Sequence, residues 1–263
     1  MKTFSPRAGP LSNSDRFAGV SGLFTAARYL TILPVPGGPG AGLGRAAAWF
    51  PVVGLGLGAA LVAADHGIGW LFPGLLGALL TVTLWKVLTG GIHLDGLADS
   101  LDGLAGRDPD HRRRIMSDSR IGAFGAVGLI LFLMIEVVAV AGLDPTVRWR
   151  ALLAAPVIGR ATSPVLARLY PPARADGQGA AFVTHVGAGA AGLAVLVALG
   201  VAWLVLGEAG LTAALTALAA AVLVGRFLVG RLAGITGDVL GAAVEIAELA
   251  ALLTVTAWAG ARS

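Results

Sequence analysis

Cysteine is absent from this chain of 263 residues, and charged side chains are scarce. The lack of cysteine excludes disulfides and metal sites built from thiolates, and it leaves the redox compartment undetermined. Charged residues make up only 13% of the chain, whereas soluble domains contain roughly a quarter. With 56% hydrophobic residues and a mean hydropathy of +0.82, the chain has too little polar surface for a soluble fold. These values predict an integral membrane protein.

The net charge of +4 is modest, and its excess is arginine scattered between apolar runs. This pattern indicates membrane topology and no nucleic-acid partner. Residues 1–16 are polar and contain Pro, Gly and Ser, so we expect a disordered N-terminal tail without a cleavable signal peptide. Residues 17–263 show no internal repeat and are expected to form a single membrane-embedded domain. A homo-oligomer is compatible with the sequence.

Apolar runs of about 20 residues, the length that crosses a bilayer as a helix, predict an all-α, polytopic helical bundle. Nothing shows the alternation of a membrane β-barrel. The run 17–33 is shorter and contains Arg28, which favours an interfacial or re-entrant helix. We expect about seven transmembrane helices (six to eight), near 46–64, 67–86, 121–143, 151–167, 187–206, 209–225 and 239–260.

The distribution of Lys and Arg predicts the orientation of the bundle. With seven spans and a cytoplasmic N-terminus, 15 of the 19 Lys and Arg residues fall on the cytoplasmic side, as the positive-inside tendency requires. The same layout places the loops near 87–120 and 226–238 together on that side. We therefore expect one composite site that faces the cytoplasm from the lipid bilayer.

Three carboxylates lie on one face of a predicted helix within residues 93–103. Asp95, Asp99 and Asp102 are spaced i, i+4 and i+7, so they fall within about 60° of arc. Like charges this close repel unless a cation lies between them, and hard oxygen ligands suit Mg²⁺ or Mn²⁺. The alternative is a solvated acidic face beside a membrane span. His93 could orient a carboxylate, but a capping or packing role is favoured.

Basic and hydroxyl-bearing residues near this acidic helix are candidates for binding an anionic substrate. Asp118, Ser119 and Arg120 open the following span, and arginine forks match phosphate oxygens. For the triplet 112–114, anchoring to anionic lipid is at least as good an explanation. Lys86, at the end of a span, could neutralise a phosphate or extend to the membrane interface.

A third element is the Gly-Ile-Thr-Gly-Asp turn at 234–238, preceded by Arg231. Its backbone N–H groups and the Thr236 hydroxyl could cradle a phosphate at a helix start, where Gly237 allows close approach. Alternatively, Asp238 could be only the N-cap of the last helix. The residues themselves leave both interpretations open.

Charged residues inside predicted spans are costly and usually face an interior site. Glu245 and Glu248, in the last span, therefore favour a functional role for the turn that precedes them. Glu136 and Arg160 are candidates for the same reason, although they could simply pair with each other.

Together these residues predict metal-assisted phosphoryl transfer, in which a diphosphate-linked donor is held by a divalent metal and arginine and an alcohol attacks in line. They leave the donor and the acceptor open. A CDP-alcohol-type phospholipid phosphotransferase would use a similar carboxylate helix, but its Asp-x-x-Asp-Gly-x-x-Ala-Arg opening is not matched, because Ala98 is followed by Asp99. A cation transporter is less favoured, since the acidic cluster lies outside the predicted spans.

The same motifs resemble the cobalamin synthase family, the adenosylcobinamide-GDP ribazoletransferases. The resemblance extends over residues 23–260, and Ile32 departs from it, since the family often carries arginine there. This departure weakens any role for the N-terminal segment. The matching segments are 89–99 with Asp102 and Gly103, 115–125, 234–242 with Glu245 and Glu248, and, less specifically, 29–36 and 50–54.

The resemblance implies a single catalytic domain that performs the last assembly step of coenzyme B12 in a bacterial inner membrane. Adenosylcobinamide-GDP would donate phosphocobinamide to the 5′-hydroxyl of α-ribazole, or to α-ribazole 5′-phosphate, with release of GMP and with Mg²⁺ as cofactor. The implied catalytic residues are Asp102 as general base, Asp99, Arg120 and Arg231. The expected metal ligands are Asp95, Asp99, Asp102, Asp118, Asp238 and Glu245. The expected substrate contacts are Lys86, His93, Ser119, Arg160, Thr236 and Gly237.

Overall fold

The computed structural model describes residues 13–36, 42–175 and 178–261. Within these ranges the chain is helical and has no β-strand; one isolated parallel bridge joins Pro172 and Ile235. The predicted all-α, polytopic membrane architecture is confirmed. The helices are α1 (Asn13–Leu30), α2 (Leu43–Ala46), α3 (Phe50–Leu71), α4 (Leu75–Leu88), α5 (Ile92–Gly103), α6 (Pro109–Met116), α7 (Ala123–Ala141), α8 (Pro145–Leu169), α9 (Gln178–His185), α10 (Ala188–Leu206), α11 (Glu208–Leu232) and α12 (Gly237–Gly260), with a 3-10 turn at Ala47–Trp49 before α3.

Five helical segments of the described chain are long and apolar enough to cross a membrane, or six if the bent pair α4 and α5 forms one span. The five are Leu43–Leu71, α7, α10, α11 and α12. The predicted count of seven also requires α8, which carries four arginines and does not meet this measure of length and composition. The count of seven therefore stays a prediction.

The predicted break between the first two spans, at residues 64–67, is wrong. Helix α3 continues through Asp65 to Leu71, and the turn falls at Phe72–Gly74, where Gly74 adopts a φ of 70°. The carboxylate of Asp65, inside this helix, accepts a hydrogen bond from Thr81 (2.9 Å) and pairs with Arg148, so its charge is compensated within the bundle.

Helix α8 lies at the centre of the bundle and packs against α3, α10, α11 and α12. Its approach to α3 depends on glycine: a Cβ on Gly54 would lie 2.5 Å from the Pro156 carbonyl, and one on Gly58 would lie 2.6 Å from that of Leu153. Small residues allow membrane helices to pack at such short range. An interior helix needs no lipid-facing apolar surface, which explains how α8 accommodates polar residues.

A bend of 90° separates α4 from α5. Gly90 and Gly91 form it with φ values of 65° and 68°, a left-handed conformation that favours glycine. The bend turns the acidic helix away from the direction of α4. It therefore positions the site described below.

Helix α1 begins at Asn13, so the last four residues of the predicted tail are helical, and the remainder, 1–12, lies outside the described residues. Among the described helices α1 does not meet the measure for a membrane span. After α1 the chain is held to the end of α4, because the Ile32 N–H donates to the Leu88 carbonyl at 3.0 Å. Whether α1 is interfacial or re-entrant stays a prediction.

Candidate active site

The first wall of the candidate site is the N-terminal half of α5. Asp95 is exposed and Asp99 is partly buried, as expected for residues one turn apart on the same face. Both line a cavity of about 710 Å³ that also contains the α6–α7 loop residues Asp118, Ser119 and Arg120. We call this space the carboxylate cavity.

Asp238, at the start of α12, is a third carboxylate near Asp95 and Asp99. Helices α5 and α12 meet at Gly96, where a Cβ would lie 2.7 Å from the Asp238 carbonyl oxygen and 2.9 Å from its Cα. This close approach brings the Asp238 side chain within electrostatic range of both Asp95 and Asp99. Carboxylates from two helices therefore converge, although they are about 140 residues apart in sequence.

Asp102 is buried and is directed at the start of α7 instead of the cavity. One carboxylate oxygen accepts the Gly122 N–H at 2.7 Å, and the other accepts the Gly125 N–H at 2.8 Å. A Cβ at either glycine would collide with this carboxylate. Asp102 thus satisfies N–H groups that a helix start leaves without partners, and it fixes α5 against α7. Its predicted roles as general base and metal ligand stay predictions.

Asp118 and Arg120 form an exposed, two-pronged ion pair at the rim of the carboxylate cavity. Arg120 Nε lies 3.0 Å from Asp118 Oδ1, and Arg120 Nη2 lies 2.7 Å from Asp118 Oδ2. The hydrogen bonds from Arg120 lower the pKa of Asp118 to about 2. The carboxylate is therefore ionised at neutral pH, and Ser119 between the two is exposed.

A buried ionic cluster lies beneath α5. Lys86 Nζ is 2.8 Å from Glu136 Oε1, 2.7 Å from Glu245 Oε2 and 3.8 Å from Glu248 Oε2, and Arg160 pairs with Glu248. All five side chains are at most 8% exposed. Lys86, Arg160 and Glu245, predicted as substrate or metal contacts, therefore belong to this cluster and do not line the carboxylate cavity.

Oxygens of Glu136, Glu245 and Glu248 lie within 4.8 Å of one another, as carboxylates around a cation would. The Lys86 ammonium already supplies a positive charge to all three. The sequence-based suggestion that Glu136 pairs with Arg160 is wrong, since Glu136 pairs with Lys86 and Arg160 with Glu248.

His93 is also buried and lies where α5 packs against α12, near this cluster. A Cβ on Gly241 would lie 3.2 Å from the His93 Cα, so α5 and α12 are in close contact here. The imidazole is within electrostatic range of Arg160 and Lys86. Its Nδ1 has no hydrogen-bond partner among the described residues. The packing role favoured from the sequence agrees with this placement, and substrate contact stays a prediction.

The turn before α12 lines a second, smaller cavity of about 310 Å³, which we call the arginine cavity. Thr236 is the N-cap of α12, since its hydroxyl accepts the Val239 N–H at 3.2 Å. Met116 and Ser117 line both cavities, so the two are adjacent. The lining of the arginine cavity is Arg113, Met116, Ser117, Arg174, Gly179, Ala180, Ile235, Thr236, Gly237 and Asp238.

Arg231 lines neither cavity, and its predicted catalytic role stays a prediction. Its guanidinium lies 3.5 Å from the centroid of the Phe227 ring and donates to the Phe227 carbonyl. Its own carbonyl oxygen accepts a hydrogen bond from Arg112 Nη1 at 3.2 Å. In this arrangement Arg231 stabilises the end of α11.

Sequence reasoning missed the contributions of Arg112, Arg113 and Arg174. Arg112 and Arg113 donate to the Arg231 and Leu232 carbonyls and so cap the C-terminus of α11, a favourable place for cations. Phosphate binding and lipid anchoring were the two explanations weighed for residues 112–114, and capping of a helix was not among them. Arg174 carries no motif signal, and only the fold brings it to the cavity.

These features define a polytopic membrane protein with an acidic and a basic cavity side by side at one end of its bundle. A family model described as cobalamin-5-phosphate synthase matches residues 22–256. The chain belongs to this family.

Curated relatives agree with this assignment. The chain is similar to an adenosylcobinamide-GDP ribazoletransferase of Roseiflexus sp. (strain RS-1), with 39% identity covering 88% of this chain and 87% of the relative. It is similar to proteins of the same name from Geotalea daltonii (35%; 90% and 97%) and Ectopseudomonas mendocina (41%; 87% and 95%). No solved structure matches. The chain is therefore a transferase of cobalamin biosynthesis that acts in the final assembly of vitamin B12.

Proposed function

We propose that this chain transfers the phosphocobinamide group of adenosylcobinamide-GDP to a ribose hydroxyl of α-ribazole or α-ribazole 5′-phosphate. The hydroxyl oxygen attacks the phosphorus that is bonded to cobinamide. The bond from that phosphorus to the bridging oxygen breaks, GMP leaves, and the hydroxyl proton passes to a carboxylate. The products are GMP and adenosylcobalamin or its 5′-phosphate.

The choice of hydroxyl differs from the sequence-based expectation for chemical reasons. In α-ribazole 5′-phosphate the 5′-oxygen is already esterified, so it cannot be the nucleophile. If one mechanism serves both acceptors, the attacking group is therefore a secondary hydroxyl of the ribose. The 5′-hydroxyl is not needed in this scheme.

The observation that carries the proposal is that Asp95 and Asp99 line a cavity whose rim bears Arg120, while Asp238, from the adjacent arginine cavity, lies within electrostatic range of both. These carboxylates from α5 and α12 repel one another, and the repulsion is relieved by a divalent cation. An all-oxygen donor set on a short, fixed framework suits Mg²⁺. Asp95, Asp99 and Asp238 would hold the metal, and Asp118 would complete the set from the rim.

When bound, Mg²⁺ would withdraw charge from the diphosphate oxygens and raise the electrophilicity of phosphorus. Arg120, which is exposed beside Asp118, is free to turn its second edge to a phosphate oxygen and stabilise charge on the leaving group. Because Asp102 is engaged by Gly122 and Gly125, the proton acceptor in this scheme is an Asp of the cavity. Glu245 is left out of the metal site, because Lys86 already neutralises it.

The cytoplasmic orientation of the site is part of the proposal. Both cavities lie at the end of the bundle formed by the α4–α5 bend, α6 and the α11–α12 turn, which the positive-inside tendency assigns to the cytoplasm. The donor is nucleotide-linked and charged, so access from the cytoplasm requires no transfer across the bilayer. Association into a homo-oligomer stays a prediction.

The deciding experiment uses the full chain, purified in detergent or returned to liposomes, with adenosylcobinamide-GDP, α-ribazole and Mg²⁺. We expect equal amounts of GMP and adenosylcobalamin by chromatography, and loss of both with EDTA. Asp99→Asn should reduce turnover by about a hundredfold or more, because a charge at the site of reaction is lost.

The matched control is Asp144→Asn. Asp144 caps α8 at the other end of the bundle, and asparagine is an equally good N-cap, so turnover should be unchanged. Wild-type activity in the folded Asp99→Asn variant would refute the metal site. Absence of product with either acceptor would refute the reaction.

A further inference from the structure

We infer that the arginine cavity binds a phosphate monoester carried by the acceptor nucleoside, and that Arg174 is its principal contact. The inference rests on the proposed function and deepens it by assigning the acceptor to one of the two cavities. It makes Arg174 the residue by which this chain distinguishes α-ribazole 5′-phosphate from unphosphorylated α-ribazole.

The basic lining is the first argument. Arg113 and Arg174 both face this cavity. The Arg113 guanidinium is held by the Leu232 carbonyl and by Asp110, so its position is fixed and its charge is partly offset by that carboxylate. Within the described ranges Arg174 makes no hydrogen bond, and the Asp238 carboxylate is within its electrostatic range. Arg174 is therefore available to form two parallel hydrogen bonds to phosphate oxygens.

A backbone donor opens into the same space. Gly237 begins α12, a helix of 24 residues whose first N–H groups have no partner within the helix. A Cβ on Gly179 would lie 3.1 Å from the Gly237 nitrogen. Because residue 179 is glycine, this N–H remains open to the cavity, and it adds to the positive end of the helix dipole.

The two cavities divide the anionic groups of the reaction between them. The carboxylate cavity repels any phosphate that is not bridged by a cation, so it suits the metal-bound diphosphate of the donor. The arginine cavity contains one carboxylate, Asp238, against two guanidinium groups, so it suits an anion without a metal. In this reaction the second anion is the 5′-phosphate of the acceptor, which is not consumed.

The two cavities are adjacent, so one acceptor molecule can extend from the first into the second. Met116 and Ser117 line both cavities, and Asp238 lines the arginine cavity while remaining within electrostatic range of Asp95 and Asp99. An acceptor with its phosphate beside Arg174 would extend its ribose past Ser117 towards the carboxylates. Binding of the phosphate then positions a ribose hydroxyl for attack.

The test compares kcat and KM for α-ribazole 5′-phosphate and for α-ribazole, with saturating adenosylcobinamide-GDP, in the purified full chain. Arg174→Ala should raise the KM for the phosphorylated acceptor about tenfold, which is the loss expected for a charge-assisted hydrogen bond. The KM for α-ribazole and for the donor should not change. Arg174→Lys keeps the charge and should give an intermediate KM.

Arg168→Ala is the matched control, because Arg168 is an exposed arginine at the end of α8 that lines neither cavity. It should leave all three KM values unchanged. Gly179→Ala should raise the KM of the phosphorylated acceptor alone, because it crowds the Gly237 N–H.

Three results would overturn the assignment. An equal rise in KM for both acceptors in Arg174→Ala would mean that the cavity does not recognise the phosphate. A rise in the donor KM would assign the cavity to adenosylcobinamide-GDP, and unchanged kinetics would leave it without a role. In each case the wild-type chain still forms product, which separates these results from failure of the proposed reaction.

Discussion

Lys86 and Glu245 are 159 residues apart in sequence, yet Lys86 Nζ lies 2.7 Å from Glu245 Oε2 in the interior of the bundle. The same ammonium bonds Glu136 at 2.8 Å, so one cation joins α4, α7 and α12. Helix α4 continues through the glycine bend into α5, and α12 begins at the Asp238 turn. The ion cluster therefore fixes the two helices that carry the carboxylates of the site.

Removal of this cation should destabilise the protein. Lys86→Met leaves buried glutamates without a positive charge, and breaking a buried ion pair in this way costs about 3–5 kcal/mol. Thermal unfolding in detergent should show a clearly lower midpoint for this variant. Because the lost interaction is with Glu245, the double variant Lys86→Met/Glu245→Gln should be more stable than Lys86→Met alone. A single variant as stable as wild type would contradict the cluster's structural role.

Asp102 offers a test that separates capping from proton transfer. Asp102→Asn replaces one accepting oxygen by an NH₂ group that faces a backbone N–H, so one of two hydrogen bonds is lost. The free energy of unfolding should fall by about 1–3 kcal/mol. The pH dependence of kcat in the remaining folded enzyme should match that of wild type.

A general base at Asp102 would give the opposite pattern. Unfolding would be little affected, and kcat would fall by orders of magnitude with loss of the acidic limb of the pH profile. Thermal unfolding and pH–rate profiles of the same Asp102→Asn preparation therefore distinguish the two roles.

Local periodicity predicted the shared face of Asp95 and Asp99, because both lie on the first turns of α5 and need no other element to define their direction. It did not predict the fate of Asp102, two turns along the same face, because the N–H groups of Gly122 and Gly125 approach it from α7. Contacts of this kind depend on how helices pack, and helical spacing within one segment carries no information about them.

The same limit applies to charged residues within spans. The cost of burying charge indicated that Glu136 and Arg160 need partners, but the pairing was wrong because Lys86 and Glu248 compete for them. Nor could local sequence show that the charge of Asp65 is compensated inside a helix, since its partner Arg148 lies 83 residues away. Apolar run length predicted the helical bundle well, because it depends only on neighbouring residues.

Gly96 sets the distance between the two carboxylate-bearing helices. In Gly96→Ala the added Cβ would lie 2.7 Å from the Asp238 carbonyl oxygen, and a backbone atom cannot move aside as a flexible side chain can. Helices α5 and α12 should separate, which weakens the shared hold of Asp95, Asp99 and Asp238 on Mg²⁺. We expect the Mg²⁺ concentration for half-maximal activity to rise about tenfold or more, as loss of ligand positioning does in other metal sites.

The matched control for this substitution is Gly200→Ala on α10, where a Cβ meets nothing within 4 Å. Alanine has the better helix propensity, so this variant should be as stable and active as wild type with an unchanged Mg²⁺ requirement. Titration of activity with Mg²⁺ in both variants isolates the effect of the α5–α12 contact. An unchanged Mg²⁺ requirement in folded Gly96→Ala would mean that the carboxylates of the two helices do not share one cation.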